Sequence, residues 1–223
     1  MRLLVVLALC CLSTHLLAAV APVDPAAFPE PVRVACVGDS ITAGSGAPKG
    51  KSYPDQLQAL LGASWAVKNF GVSGHTLLRK GDHPYWKAGA FAKAKEFQPN
   101  VVVILLGAND SKPGNWKYGE EFPTDYRDLV AEFRALPSQP RIWVGRPCPV
   151  PGKGNFGINE ATIQKQILLI NQMADDLKLG VIDFHAALAD KPQFIPDRVH
   201  PNADGYGVMA ATVAAALTGK TAP

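Results

Sequence analysis

The residues best suited to chemistry in this chain are Ser40, Asp197 and His200. Ser40 follows Gly38 and Asp39 at the end of an apolar run. Asp197 and His200 are close enough in sequence for one short turn to hold both side chains. A serine hydroxyl is a poor nucleophile until a base takes its proton, and an imidazole oriented by a carboxylate is such a base. We therefore predict an acyl-transfer triad in which Ser40 attacks, His200 carries the proton and Asp197 orients His200.

Other serines compete for the nucleophile's role. Ser45 and Ser73 also lie beside glycines, but neither lies in the G-x-S-x-G motif of lipase-type hydrolases. Ser40 itself has a simpler interpretation, as a cap of the helix that follows a strand. Asp39 and Asp110, which stand beside the candidate residues, are interpreted as hydrogen-bonding turn residues rather than acid–base groups.

Three other histidines compete for the role of base, namely His75, His83 and His185. None of them has an acidic residue three positions before it, as His200 does. His185 follows Asp183 at the end of a predicted strand, and we interpret it as structural. The histidines also lack the H-E-x-x-H spacing of a zinc site, and no paired cysteines are present, so we predict no metal and no cofactor.

The elements that must position these residues alternate between strand and helix. The predicted strands are Val32–Val37, Trp65–Phe70, Val101–Leu106, Arg141–Val144 and Gly180–Phe184. The third of these is apolar at every position, which is typical of a strand buried on both faces. Alternation with such a strand predicts a parallel sheet covered by helices on both sides. In such sheets ligands bind beyond the carboxyl ends of the strands, where Ser40 is expected.

Helical spacing of apolar residues fills the gaps between the strands. One predicted helix begins at Ser52, stops at Gly62 and turns its leucines inward. The residues expected to face the core are Leu57, Leu60 and Leu61; Tyr126, Leu129, Val130 and Phe133; Ile163, Ile167, Ile170, Ala174 and Leu177; and, in a last helix capped by Asn202, Met209, Val213 and Leu217.

Four short motifs give the chain a resemblance to a known family. They read Gly38-Asp39-Ser40, then a single glycine at Gly71, then GAND at 107–110, and then DRVH at 197–200. In this order they resemble the signature blocks of the SGNH/GDSL hydrolases, from about Val32 to the last helix. The resemblance implies a serine esterase on a three-layer α/β/α, flavodoxin-like parallel sheet of about five strands.

The resemblance also implies a site for the negative oxygen of the tetrahedral intermediate. Its three donors would be the backbone N–H of Ser40, the backbone N–H of Gly71 and the side-chain amide of Asn109. Such preorganised donors commonly stabilise the transition state of acyl transfer. A glycine suits position 71 because the backbone must approach the substrate closely there.

The substrate is less well defined by the sequence. Trp116, in the loop after the third strand, suits stacking on a sugar, although it is equally compatible with packing. Asp110 and Arg146 are further candidate substrate contacts, and His83 and Trp86 are candidates to line the cleft. The GANDSKPGNW stretch is similar to the branch of the family that contains carbohydrate and sialate O-acetylesterases. The first hypothesis is therefore an esterase that deacetylates a sugar. The alternatives are a lysophospholipase or thioesterase, and a non-catalytic glycan-binding module.

The bulk composition fits one folded domain, which we place at residues 32–219. The net charge is only +3 and the chain has 18% charged residues without clusters of lysine and arginine, which argues against a nucleic-acid partner. The expected partner is a small-molecule or glycan ester.

The first 21 residues have the layout of a secretory signal peptide. Met1-Arg2 is followed by an apolar run from Leu3 to Leu12 that is too short to span a bilayer, and then by small residues before a cut somewhere in 18–21. The expected location is therefore secreted or periplasmic, without stable membrane insertion after removal of the signal. Cys10 and Cys11 would leave with the signal. Cys36 and Cys148 remain, in or next to predicted core strands, which favours two unpaired thiols over a disulfide.

Overall fold

The computed structural model describes residues 20–220, in which strands and helices alternate. The strands are β1 (Val32–Gly38), β2 (Trp65–Gly71), β3 (Val101–Leu105), β4 (Arg141–Arg146) and β5 (Gly180–Asp183). All pair in parallel, in the order β2-β1-β3-β4-β5. The helices are α1 (Ser40–Ala43), α2 (Tyr53–Leu61), α3 (Gly89–Glu96), α4 (Pro113–Trp116), α5 (Phe122–Arg134), α6 (Glu160–Leu177), α7 (Phe184–Leu188) and α8 (Ala203–Thr218).

The sheet is buried on both faces, as the apolar run in β3 predicts. Val101, Val103 and Leu105 belong to the core on one side, and Val102, Ile104 and Leu106 to the core on the other. Helices α2, α7 and α8 supply side chains to the first core, whereas α3, α5 and α6 supply most of the second. The predicted three-layer α/β/α architecture with a five-stranded parallel sheet is therefore confirmed.

Most of the predicted core positions are buried, but one helix differs. Ser52 begins α2 with a capping box to Asp55, and Gly62 ends it, as predicted. Leu60, however, is 50% exposed, so its predicted inward orientation is wrong. The buried face of α2 is set by Tyr53 and Leu57, and Leu60 lies at the solvent-exposed edge of their stripe.

The strand ends differ from the predicted bounds by one or two residues. β4 continues to Arg146, because Gly145 and Arg146 pair with β5. β5 ends at Asp183 instead of Phe184, because the Asp183 side chain accepts from the N–H of Ala186 and begins α7. These shifts leave all carboxyl ends of the strands at one edge of the sheet.

The segment before β1 is more ordered than its proline-rich sequence indicates. Val23 is buried, and its N–H donates to the carbonyl of Leu217 at 2.7 Å. The segment from Pro22 is thus held against α8 and is not the loose lead-in that its composition predicts. The predicted signal peptide, with Cys10 and Cys11, lies outside the described residues except for positions 20 and 21.

Cys36 and Cys148 are both buried and form no disulfide within residues 20–220, in agreement with the prediction of two free thiols. Cys148 contacts the sulfur of Met209 at 3.8 Å. In the same part of the chain no helix is both long and apolar enough to cross a membrane.

Candidate active site

The turn from β1 into α1 presents Ser40 at the carboxyl edge of the sheet. Asp39 caps the helix by accepting from the N–H of Ile41 at 2.9 Å, so Ser40 becomes the first residue of α1. Gly38 has to be a glycine, since a Cβ there would lie 2.1 Å from Thr42 Oγ1 and 2.5 Å from the Leu105 carbonyl oxygen. Packing between β1, α1 and β3 thus requires the glycine, and the aspartate begins the helix.

The side chains of Ser40, His200 and Asp197 meet in one hydrogen-bonded row. Ser40 Oγ lies 2.9 Å from His200 Nε2, and His200 Nδ1 lies 2.7 Å from Asp197 Oδ2. When Nδ1 carries the proton and donates to Asp197, Nε2 is left as an acceptor for the serine hydroxyl. Ser40 is 7% exposed, so its hydroxyl is sheltered yet reachable. The spatial requirement for a serine nucleophile with a paired base is met.

The turn that carries Asp197 and His200 is built to hold the carboxylate in its ionised form. Asp197 Oδ1 accepts from the backbone N–H of His200 at 2.6 Å and of Val199 at 2.9 Å. Partial burial raises the pKa of Asp197, but these hydrogen bonds and the contact with the imidazole outweigh it and leave the pKa below its ordinary value. Asp197 therefore stays a carboxylate that can stabilise an imidazolium.

The competing serines and histidines lie elsewhere. Ser45 Oγ and Ser73 Oγ are 3.4 Å apart, and neither hydroxyl is bonded to a histidine in the described part of the chain. His185 Nε2 lies 2.8 Å from Glu160 Oε1, which supports its structural interpretation. His75 Nδ1 lies 3.0 Å from the carbonyl of Ser73.

No cluster of three His, Cys, Asp or Glu side chains that could hold a metal ion occurs between residues 20 and 220.

His83 and Trp86, the two residues predicted to line the cleft, both have local partners. His83 Nδ1 faces Asp82 at 3.6 Å, and Trp86 donates to the Leu77 carbonyl at 2.7 Å.

Two of the three predicted oxyanion donors, the N–H of Ser40 and the amide of Asn109, lie together at the serine turn. The N–H of Ser40 has no acceptor within residues 20–220. Asn109 is buried beside the serine turn, where its amide nitrogen lies 3.1 Å from the His75 carbonyl and 3.5 Å from Asp39 Oδ2. Asp39 thus caps the serine helix and faces the amide of Asn109, which couples the two donors.

The third predicted donor, Gly71, has to be corrected. Its N–H donates to Asn69 Oδ1 at 2.9 Å, and Gly71 lies inside β2 against the backbone of α1. Gly74 fits the role better, because it precedes His75, whose carbonyl faces the Asn109 amide. The Gly74 N–H has no acceptor among the described residues, its φ is +80°, and the space around its Cα is open. The sequence contains both glycines, and only the direction of the chain after β2 distinguishes them.

Asp110 does not contact substrate, contrary to our expectation that it is a candidate contact. It is fully buried, and its carboxylate accepts from the N–H groups of Leu77 and Leu78 at 3.0 and 2.7 Å. Burial raises the pKa of Asp110 to about 6. The alternative interpretation of Asp110 as a hydrogen-bonding residue is the correct one. Its hydrogen bonds connect the loop that carries Gly74 to the loop that carries Asn109.

Arg146 is likewise occupied inside the protein. Its guanidinium is paired with Asp183 and donates through Nε to Asn171 Oδ1 at 2.8 Å. It therefore joins β4, β5 and α6 and is not placed as a free substrate contact. Trp116 packs edge-on against Phe122 at 5.5 Å, as the packing interpretation predicts, and it also lines a surface groove.

Asn115 belongs to the site and was missed by the sequence analysis. It is buried in α4, and its amide donates to the Asn109 carbonyl at 2.9 Å and to Asp82 Oδ1 at 3.0 Å. Its side-chain oxygen accepts from the N–H of Asp82 at 2.9 Å. Asn115 therefore holds the Asn109 turn against the loop before α3. It lies within the GANDSKPGNW stretch, but one asparagine in a polar loop has no distinctive spacing that would assign it this role.

The buried carboxyl of Asp39 should make the stability of the fold depend on pH. Burial raises its pKa to about 7, well above the ordinary aspartate value, despite the hydrogen bond from Ile41. Between about pH 4 and pH 7 the folded state holds a proton that the unfolded chain has released, so stability falls as pH rises through this window.

The Asp39→Asn variant, neutral at every pH, should lose this dependence. We expect the free energy of unfolding of the unchanged chain to fall by on the order of 1–3 kcal/mol more than that of the variant between about pH 5 and pH 8. Urea unfolding at each pH measures the difference. Asp190→Asn, at an exposed position, is the matched control, and equal pH slopes for the unchanged chain and Asp39→Asn would contradict the prediction.

Comparison with known proteins places this geometry in a family. The model of the GDSL-like Lipase/Acylhydrolase family matches residues 36–208. An acetylxylan esterase from Xylanibacter ruminicola is 41% identical over 214 residues, which are 86% of this chain and 44% of that protein. A multidomain esterase from Ruminococcus flavefaciens is 28% identical over 52% of this chain and 15% of its own length. The chain thus spans less than half the length of either curated relative.

Solved structures support the fold. A carbohydrate acetylesterase family member from Sinorhizobium meliloti superimposes with a TM-score of 0.65 at 22% identity, over 85% of this chain and 100% of that one. A variant of an acetyl xylan esterase from Geobacillus stearothermophilus has a TM-score of 0.65 at 22% identity, over 84% and 95% of the two chains. At this identity the likeness concerns the fold alone.

Proposed function

This chain belongs to the GDSL-like lipase/acylhydrolase family, and on that premise we propose that it is a serine esterase that removes O-acetyl groups from carbohydrates. One observation carries the proposal. Ser40 Oγ lies 2.9 Å from His200 Nε2, and His200 Nδ1 lies 2.7 Å from Asp197, so the hydroxyl has a base and the base has an orienting carboxylate.

In the proposed reaction Ser40 Oγ attacks the acetyl carbonyl while His200 Nε2 takes the hydroxyl proton. The carbonyl oxygen becomes negative and is held by the N–H groups of Ser40 and Gly74 and by the Asn109 amide. Asp197 stabilises the imidazolium that forms.

The intermediate then collapses, and the sugar oxygen leaves with the proton from His200. Ser40 carries the acetyl group until water, deprotonated by His200, attacks the ester and releases acetate. Each step uses the same row of side chains, so no cofactor is required by this scheme.

The choice of an acetylated sugar rests on the relatives. The 41%-identical protein is named an acetylxylan esterase, and structural neighbours include carbohydrate acetylesterases. The family also includes lipases by its own description, so long-chain esters are the competing substrates.

A substrate panel tests the proposal. We expect the enzyme to release acetate from acetylated xylooligosaccharides at least about tenfold more efficiently, in kcat/KM, than it hydrolyses 4-nitrophenyl esters of eight or more carbons. Acetate release is measured with a coupled assay, and Ser40→Ala serves as the blank. A preference for the long acyl chains would refute the sugar substrate and leave the esterase chemistry standing.

We also propose that the enzyme acts outside the cytoplasm. The support is the leader-like composition of residues 1–21, of which positions 1–19 lie outside the described structure. Fractionation of cells that produce the full chain tests this, and recovery of the unprocessed protein in the cytoplasm would contradict it.

A further inference from the structure

Phe156 is an exposed aromatic residue whose backbone conformation is unfavourable for a residue with a side chain. Its side chain is 57% exposed, and its φ is +53°, in the left-handed region where a residue with a side chain pays a conformational cost. The loop contains two glycines, Gly154 and Gly157, which adopt positive φ without that cost. Stability therefore offers no reason for a phenylalanine at this position.

The loop holds Phe156 against the proposed catalytic base. The Phe156 ring centroid lies 5.7 Å from that of His200, at an interplanar angle of 50°. Asn155 fixes the loop to the triad turn, because its amide donates to the Asp197 carbonyl at 3.1 Å and its side-chain oxygen accepts from the N–H of Phe156 at 2.9 Å. The exposed ring is thus held next to the imidazole of His200.

A surface groove lies beside the loop that carries Phe156. It has a volume of about 660 Å³, and Asn155 and Gly157, the two neighbours of Phe156, are in its wall. Trp116 supplies a second aromatic surface there, and Lys117 and Lys153 supply donors. Neither lysine takes part in an ion pair within residues 20–220. The Lys117 ammonium lies over the ring of Tyr118, 4.8 Å from its centroid, and both ammonium groups can donate to hydroxyl groups of a ligand.

An aromatic face beside free hydrogen-bond donors fits a sugar. The C–H face of a pyranose packs on a ring, while its hydroxyl groups bond to polar neighbours. An ester alcohol that leaves from the triad must depart past His200, because His200 returns the proton to its oxygen. The sugar bearing the acetyl group therefore lies on the side of the site where Phe156 stands.

We propose that Phe156 is a specificity-determining residue that stacks on the acetylated sugar, and that the neighbouring groove, which Asn155 and Trp116 line, holds the adjoining units of the glycan. This inference rests on the proposed sugar deacetylation. Phe156 would make the enzyme prefer sugar acetates to acetates of simple alcohols, although its side chain takes no part in the chemistry.

The test compares Phe156→Ala with the unchanged enzyme on two acetates of different alcohols. On acetylated xylooligosaccharides we expect kcat/KM to fall by about 2–12-fold, mainly through KM, which is the ratio that one aromatic contact supplies. On ethyl acetate, whose alcohol has no ring to stack, kcat/KM should change by less than about twofold. Phe156→Tyr keeps an aromatic face and should restore most of the sugar activity.

Each outcome has a defined meaning. An equal fall in kcat on both acetates would overturn the inference, because Phe156 would then act by positioning His200. Unchanged kinetics on both would overturn it as well. If the unchanged enzyme released no acetate from sugars yet hydrolysed ethyl acetate, the proposed function would fail and the stacking role with it. The melting temperature of Phe156→Ala should stay within about 4 °C of the unchanged chain, because the side chain is largely exposed.

Discussion

Replacing Ser40 by alanine is expected to lower kcat for acetate release by about 10⁴–10⁶-fold. The variant has no oxygen to attack the carbonyl, while His200 and Asp197 remain in place without a hydroxyl to activate. Any residual rate would come from the oxyanion donors and from substrate binding, which assist water only weakly. Initial rates of acetate release from an acetylated sugar, measured with enzyme purified from contaminating esterases, quantify the loss.

Two controls separate this effect from a loss of folding. Ser45→Ala removes a nearby hydroxyl that has no histidine partner among the described residues and should leave kcat within about twofold. A serine-directed phosphonate should label the unchanged chain at Ser40 and fail to label Ser40→Ala. A folded Ser40→Ala protein that retains full esterase activity would remove Ser40 from the mechanism.

Asn109→Ala is expected to lower kcat by about 10²–10³-fold with little change in KM. Its amide is the side-chain donor of the proposed oxyanion site, and a charge that develops only in the transition state affects kcat more than ground-state binding. In the free enzyme the amide faces the His75 carbonyl at 3.1 Å and Asp39 at 3.5 Å, so it is already oriented before substrate arrives.

The Asn109 prediction has its own control. Asn171→Ala removes an amide that binds Arg146 away from the serine turn, and it should change kcat by less than about twofold. Unfolding midpoints of both variants show whether the fold is retained. An effect of Asn109→Ala confined to KM would assign the amide to substrate binding instead of charge stabilisation.

Much of this protein is determined by local features of the sequence. The apolar run of β3 requires burial on both faces, and burial on both faces requires helices on both sides of a parallel sheet. The spacing of Asp197 and His200 is short enough for one turn to bring the side chains together, and the backbone N–H groups of Val199 and His200 donate to the Asp197 carboxylate. Gly38, Asp39 and Ser40 form a strand-to-helix turn that depends on immediate neighbours. Short-range geometry of this kind is readable from residue types.

The tertiary structure alone decided which similar residues take which roles. Gly71 and Gly74 are equally good glycines in the sequence, but the Asn69 side chain occupies the N–H of one and leaves the other free. Asp110 and Arg146 are charged residues of the kind that contact substrates. In the folded chain, however, the Asp110 carboxylate accepts from the N–H groups of Leu77 and Leu78, and the Arg146 guanidinium pairs with Asp183.

Phe156 is a residue whose role the sequence could not indicate, because it belongs to no motif. It stands beside His200 only because Asn155 bonds to the Asp197 carbonyl, 42 residues further along the chain. Partners that are distant in sequence are chosen when the loops pack against one another. Whether a polar group is free for substrate or already bonded within the protein is therefore decided by the folded chain, while the residue types decide only which chemistry is available.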